Sequence, residues 1–295
     1  MTDGLVNVLK VPGMTSSDVV NIIRGIYHTK KVGHAGTLDP EAAGVLPIFI
    51  GSATRLLEYA VSGTKHYRAE ALAGIRTDTG DDTGKLLETM PVPDLTPAML
   101  KEALAKFVGD YQQVPPMYSA LKHNGRKLYQ YARAGVEIPR EPRTVQIDRL
   151  VLTGVRPPFF IFEVECSKGT YVRTLIEDIG RSLGTCATMT FLLRESVGGF
   201  NLSEAKTIEE IEACPEAALQ PLETAVRHLP RLQVNPLQGL RITSGVKTTI
   251  PGTPDGRYAL YDGGQFLAIV LCKEEKVQAL KVLYHSSYSN KETNE

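Results

Sequence analysis

Residues 32–55 read VGHAGTLDPEAAGVLPIFIGSATR. Four glycines and two prolines fall between Val32 and Gly51, and VLPIFI (45–50) is an apolar run with the length of a buried strand. The stretch before it is an ordered loop of small residues, which leave backbone close to whatever the loop holds. Within it stands Asp39, biased away from helical geometry by the following Pro40. A carboxylate on a glycine-rich, proline-pinned loop can be presented to a ligand with backbone on either side. The plainer alternative is an Asp-Pro turn whose carboxylate caps a helix begun by EAAG (41–44).

Upstream of that loop, Ser16 or Ser17 can cap a helix over about 18–27, with Val19, Ile22, Ile23, Ile26 and Tyr27 at helical spacing. Downstream, KHYRAEALAG (65–74) places Tyr67, Ala69, Ala71 and Ala73 on one face and predicts a strand. Small neighbours leave room for a flat object such as a base against the Tyr67 ring, although a core tyrosine fits the same pattern. IRTDTGDDTGK (75–85) is an acidic turn region. Thr96-Pro97 opens a helix to about Phe107, and a second runs from about Arg126 to Gly135. FFIFEVEC (159–166) is a strong strand, followed by the turn SKGT and a helix from Tyr171 to about Leu183. If Thr170 caps that helix, Arg173 falls in its first turn, where the dipole disfavours positive charge by ~0.3–1 kcal/mol. A carboxylate from another segment, such as Asp39, would compensate; an exposed arginine tolerating the cost is the alternative. Lys168, in the turn before, can face either solvent or phosphate.

Weaker helices are expected at about 203–213 and 222–228. Beyond Pro230 the pattern changes to short strands with turns at PGTPDG and DGG, so the chain divides near 230 into 1–230 and a small β-rich unit, 231–295, ending in the polar tail SSYSNKETNE.

The composition removes several classes. The chain has 295 residues, about two domains' worth at ~150 each. Its hydrophobic fraction of 42% and charged fraction of 22% are ordinary for a folded protein. Lys plus Arg and Asp plus Glu are each 33, so bulk positive charge does not hold it to nucleic acid. The charge is uneven, however. Lys122 to Arg143 holds six bases against two acids, whereas Glu70 to Asp110 holds eight acids against four bases, and Glu204 to Glu223 six against one. No apolar run approaches the ~18 residues of a spanning helix, and MTDGLVNVLK lacks the features of a secretory signal. Four cysteines without a CxxC fit a reduced cytosolic setting. The glycines of GDDTGK are separated by three residues where a phosphate loop needs four, and GxGxxG, HExxH and GxSxG are absent. His28, His34 and Asp39 do not have metal-ligand spacing.

GHAGTLDPEAAGVLP resembles the signature loop of the bacterial tRNA pseudouridine-55 synthase family. The likeness continues through KHYRAEALAGIRTDTGDDTG, QVPPMYSALKHNGRKLYQYARAG and CSKGTYVRTLIEDIG, four segments in the family's order across most of residues 5–190. The resemblance implies an α+β fold: a synthase core of mixed β-sheet with flanking helices, plus a small β-rich C-terminal domain of the PUA type that binds RNA. It implies isomerisation of uridine 55 in the T arm of tRNA, with Asp39 as the essential aspartate. Arg173 aligns with the arginine paired to that aspartate, Tyr67 with the tyrosine stacking on the target base, and His34 with the histidine that enters the RNA loop. Asp81 matches a polar residue of the cleft. Residues from about 116 to 143 resemble an insertion closing over the tRNA arm, so Lys122, Arg126, Lys127 and Arg133, with Lys168, are expected to bind substrate. No metal or cofactor is implied, and no membrane, obligate guide RNA or protein partner; a cytoplasmic monomer is expected.

Three other readings compete. A tRNA-folding protein on a dead synthase core predicts loss of Asp39 or Arg173, and both are present. A synthase acting inside a guide-RNA particle predicts long basic tails, and a synthase for ribosomal RNA is disfavoured only by the insertion and the C-terminal unit.

Overall fold

The computed structural model describes residues 2–60 and 63–284, so the tail SSYSNKETNE lies outside the described residues. The chain opens with β1 (Gly4–Lys10), almost wholly buried, and α1 (Ser16–Ile26). The cap of α1 is Thr15 rather than Ser16 or Ser17, because Thr15 and Asp18 form a reciprocal capping box. Next come β2 (Val32–His34) and β3 (Ala43–Ile50). No helix begins at EAAG: residues 40–41 make a turn and Ala43 is already strand, so Asp39 caps nothing. The short α2 (Leu57–Ala60) leads to β4 (Lys65–Ala73), then the two-stranded β5 (Ile75–Thr77) and β6 (Leu86–Thr89), and α3 (Pro97–Ala105), capped by Thr96 with Pro97 in its first turn.

After β7 (Gly109–Gln113) the chain makes an excursion holding a hairpin, β8 (Lys122–His123) and β9 (Arg126–Lys127), and α4 (Leu128–Arg133). The helix expected from Arg126 therefore starts two residues later, after a strand that turns back through Asn124 and Gly125. The chain returns along β10 (Arg143–Arg156) and β11 (Phe159–Cys166), then runs through α5 (Val172–Ser182), β12 (Ala187–Val197) and β13 (Phe200–Asn201). The helix expected at about 203–213 is confined to α6 (Ile208–Ala213), after a single 3-10 turn at Leu202–Glu204, and a separate short α7 (Pro215–Ala218) follows Cys214 with Pro215 at its start.

Apart from the β5–β6 and β8–β9 pairs, these strands form one nine-stranded mixed sheet in the order β1-β3-β12-β4-β11-β10-β7, with β2 on β3 and β13 on β12. Every pairing is antiparallel except β3 with β12. The sequence reading misses β1, β7, β10 and β12. The free edge of β1 is covered by backbone returning from the far end of the core: Leu5 and Gln220 exchange hydrogen bonds of 2.9 and 2.8 Å, and Leu9 N donates to Lys206 O at 2.8 Å. On β4 the odd residues face the apolar core. The small side chains Ala69, Ala71 and Ala73 are buried there in the same apolar cluster as Leu175, Ile176 and Ile179 of α5.

The final segment contains β14 (Arg231–Val234), α8 (Pro236–Thr243), β15 (Thr248–Thr249), β16 (Gly256–Asp262), β17 (Gln265–Lys273) and β18 (Lys276–Val282). They form a separate five-stranded sheet, ordered β14-β16-β17-β18-β15. Tyr261, Phe266 and Ile269 from this sheet share an apolar cluster with Leu5, Phe49 and Phe200 of the main sheet. Lys281 Nζ adds an ion pair to Glu58 Oε1 at 2.9 Å.

Candidate active site

The loop between β2 and β3 lacks regular hydrogen-bond partners, so its carbonyls must be satisfied by other groups. Two buried cations and one serine do this. Lys10 Nζ donates to Pro40 O at 2.7 Å and Ala42 O at 2.6 Å. Arg194 Nη2 donates to Gly36 O at 2.9 Å and its Nε to Val45 O at 2.8 Å. Ser16 Oγ donates to Leu38 O at 3.0 Å and accepts from Leu38 N at 2.9 Å. Both cations are fully buried, and burial brings the Lys10 amine down to about 8. Gly44 makes the Arg194 clamp possible. Its φ is +113°, and a Cβ there would lie 2.2 Å from Arg194 O, so only glycine lets β3 and β12 approach at this rung.

Between these clamps Asp39 projects with its side chain 37% exposed, and Arg173 Nε meets its Oδ2 at 2.9 Å. Arg173 itself is 5% exposed, which overturns the alternative of an arginine facing solvent. The cap of α5 is Tyr171, not Thr170, and it makes no side-chain cap bond, so Arg173 is the second helical residue. The rest of its fork is also engaged: Nη1 donates to Thr79 O at 2.6 Å and Nη2 to Tyr118 O at 2.9 Å. One guanidinium thus joins the Asp39 loop, the turn after β5 and the excursion. Its planar donor set suits three acceptors in fixed directions.

Asp81 serves that arrangement indirectly. Its Oδ1 accepts from Thr79 Oγ1 at 2.7 Å and Thr83 Oγ1 at 2.6 Å, shaping the turn that offers the Thr79 carbonyl to Arg173. Tyr67, 6% exposed, sits directly across from Arg194 in the β4–β12 register. Burial pushes its hydroxyl up, opposed by the Arg194 guanidinium beside it, so it is a neutral phenol at neutral pH. Its burial fits the core-tyrosine alternative, at the inner wall of the loop. His34 ends β2; burial and then Arg194 lower it, and its Nδ1 has no hydrogen-bond partner among the described residues.

The basic residues lie apart from this cluster. Lys122, Arg126 and Arg133 are exposed and Lys127 is half-buried. Arg126 lies 5.0 Å from the Tyr131 ring centroid, and Lys127 and Arg133 lie 5.6 and 5.5 Å from that of Tyr129. The cluster's hydrogen-bond tie to the excursion is the Tyr118 carbonyl on Arg173. Lys168 is exposed in the turn before α5. A cleft of about 630 Å³ between the excursion and α5, lined by Pro116, Arg140 and Glu177 among others, includes none of the expected site residues.

Sequence reasoning missed Lys10, Arg194, Ser16 and the Tyr118 carbonyl. For the two cations a signal existed: each stands in an apolar strand, GLVNVLK and ATMTFLLRESV, where a charge must have a buried partner.

Two family models match the chain. The TruB family pseudouridylate synthase N-terminal domain covers residues 24–172, and the tRNA pseudouridylate synthase B C-terminal domain covers 173–229. A curated tRNA pseudouridine synthase B of Caldanaerobacter subterraneus is 43% identical over 280 residues, 94% of this chain and 97% of its own. That of Alkaliphilus oremlandii is 46% identical over 245 residues, 82% of each chain. Among solved structures, a Cbf5–Nop10–Gar1 complex aligns with a TM-score of 0.76 at 25% identity, covering 96% of this chain and 85% of that one. An H/ACA RNP bound to a substrate RNA aligns at 0.74 and 24% identity, a likeness of fold alone.

Proposed function

This chain belongs to the TruB family of pseudouridylate synthases, and from that premise we propose that it converts uridine 55 in the T arm of tRNA to pseudouridine, with Asp39 as the reacting carboxylate. The observation that carries this reading is the state of Asp39. Its carboxylate is fixed through one oxygen by a buried arginine yet remains partly open to a ligand. Among the described residues no other side-chain donor reaches it.

The reaction breaks the C1′–N1 bond, turns the uracil and joins C5 to C1′; the C5 proton is lost and N1 gains one, so no atom is added overall. The base must first leave the stack, because C1′ is otherwise out of reach. Asp39 then acts either as nucleophile at C1′ or as base at C2′–H, and both routes need a charged, oriented carboxylate. Arg173 supplies orientation and opposite charge. Tyr67 forms the wall behind the detached uracil, and Arg194 and Lys10 keep the loop from shifting as charge moves.

The remaining assignments carry over from the family resemblance, with the exposed charges of the excursion in support. Lys122, Arg126, Lys127, Arg133 and Lys168 hold phosphates of the arm. His34 enters the space the flipped nucleotide leaves. Residues beyond about 230 act as an RNA-binding unit, and the enzyme works in the cytoplasm as a monomer without a guide RNA. The test is release of tritium from C5-labelled uridine in a tRNA transcript by the purified chain. Activity is expected with wild type and none with Asp39→Asn, whose tRNA affinity stays within a few-fold. Tritium release by Asp39→Asn would refute the assignment.

A further inference from the structure

The two faces of β4 treat their cations differently. On the outer face, Arg68 Nη2 lies 3.0 Å from Glu163 Oε1 and 3.2 Å from Glu195 Oε1, and His66 Nδ1 lies 3.3 Å from Glu195 Oε2. On the inner face Lys65 is half-buried and forms no ion pair among the described residues. Its cross-strand neighbours are Cys166 and Val197. The basic groups acting on it are Arg194 and Lys168, and among the described residues no carboxylate offsets them. A partly buried lysine without an ion-pair partner costs stability in the free protein. Such a cost is tolerated where an anion arrives from outside.

We propose that Lys65, with Lys168, forms the seat for a backbone phosphate of the RNA strand beside the uridine held at Asp39. This rests on the RNA-modifying reading above and adds to it a specific residue and the group that residue takes. Lys65 precedes Tyr67 by two residues on the same strand face, about 6.6 Å at ~3.3 Å per residue. A nucleotide whose base lies against Tyr67 has its flanking phosphates within reach of a lysine side chain at that distance. Lys168 follows Cys166, the cross-strand partner of Lys65, by two residues, so both lysines stand at the same end of the β4–β11 pair.

Burial first, then Arg194, brings the Lys65 amine down to about 8. Of the groups facing it, Cys166 on β11 is pushed up to about 11 by burial and Tyr67 on β4 is also raised, while Arg194 on β12 and Lys168 in the turn are cations. Phosphate favours the charged lysine, so tRNA affinity is full below pH 8 and falls as pH rises through it. Lys10, also brought to about 8, titrates in the same range but remains present in every variant used.

The test compares the wild type with Lys65→Met and Lys65→Arg, using fluorescent tRNA and thermal melts without RNA. Lys65→Met is expected to bind tRNA about 10-fold more weakly, with a salt slope lower by ~0.7, while melting about 2–4 °C higher. Lys65→Arg is expected to bind normally and to lose the part of the affinity decline between pH 7 and 9 that wild type shows. Binding by Lys65→Met within twofold of wild type, or a lowered melting temperature alongside lost binding, would overturn the proposal. So would an unchanged pH dependence in Lys65→Arg. Failure of the wild type itself to bind tRNA would instead sink the reading on which the proposal stands.

Discussion

The Asp39 loop and the basic excursion between β7 and β10 solve opposite problems. The loop is short, and its carbonyls are clamped by Lys10 and Arg194, both without exposed surface. The excursion carries its cations on exposed or half-buried positions, and the rings of Tyr129 and Tyr131 steady Arg126, Lys127 and Arg133. Charges buried against fixed dipoles cannot reorganise, which suits a site where bonds break. Charges on a surface can adjust to a polyanion at little cost, which suits docking. Arg173 belongs to both regions, because the same guanidinium holds Asp39 and the Tyr118 carbonyl.

The sharpest way to break this contrast is at that shared residue. Arg173→Lys keeps the charge but cannot serve three acceptors, so single-turnover pseudouridine formation should fall by about 100-fold with the fold intact. Rates within twofold of wild type at saturating tRNA would show that the fork geometry is dispensable. Arg194→Met strikes the clamp: carbonyls of Gly36 and Val45 lose a charged donor, and urea denaturation should report a loss of about 3 kcal/mol. Unchanged stability would mean that the loop holds its shape without the cation. Neutralising Arg126, Lys127 and Arg133 together should weaken tRNA binding by about 10-fold and flatten its salt dependence by ~0.7 for each phosphate no longer neutralised, with the chemical step changed less than about threefold. If His34→Ala weakens binding more than this triple variant does, arm shape rather than charge governs docking.

The smallest effect concerns pH. The Lys10 amine lies near 8 in the folded chain against 10.5 in the open one, so between those values the unfolded state binds more protons and stability rises with pH. Lys10→Met should show a flatter stability curve between pH 8 and 10, measured by urea melts, than wild type. Parallel curves would remove Lys10 from that account.

Much of the site was legible because its residues violate local rules. A positive charge in the first turn of a helix asks for a carboxylate, and Arg173 has one in Asp39, although the cap lay one residue later than the sequence suggested. Alternation along KHYRAEALAG gave β4 and the inward face of Tyr67, but not the apolar partners of its alanines, which come with α5 from about 100 residues away. Lys10 and Arg194 went unread for a related reason. Their partners are backbone carbonyls of a distant loop, and carbonyls leave no mark in the sequence. Strands β1, β7 and β12 were similarly hidden because their partners lie far along the chain, and β10, although it pairs with the adjacent β11, was hidden by the bulges that interrupt its alternation.

The excursion leaves the sheet after Gln113 and returns at Arg143, and those two residues face each other as register partners. To the sheet, the intervening chain is therefore a hairpin turn of arbitrary length, and lengthening a loop raises its closure cost only slowly. Segments of different size or charge can be exchanged on that rung without re-registering a single strand. What such an exchange would not leave untouched is the Tyr118 carbonyl on Arg173. A replacement that fails to present a carbonyl there would leave the guanidinium one acceptor short and the Asp39 carboxylate less firmly aimed, so substrate choice and catalytic rate in this scaffold are bound to change together.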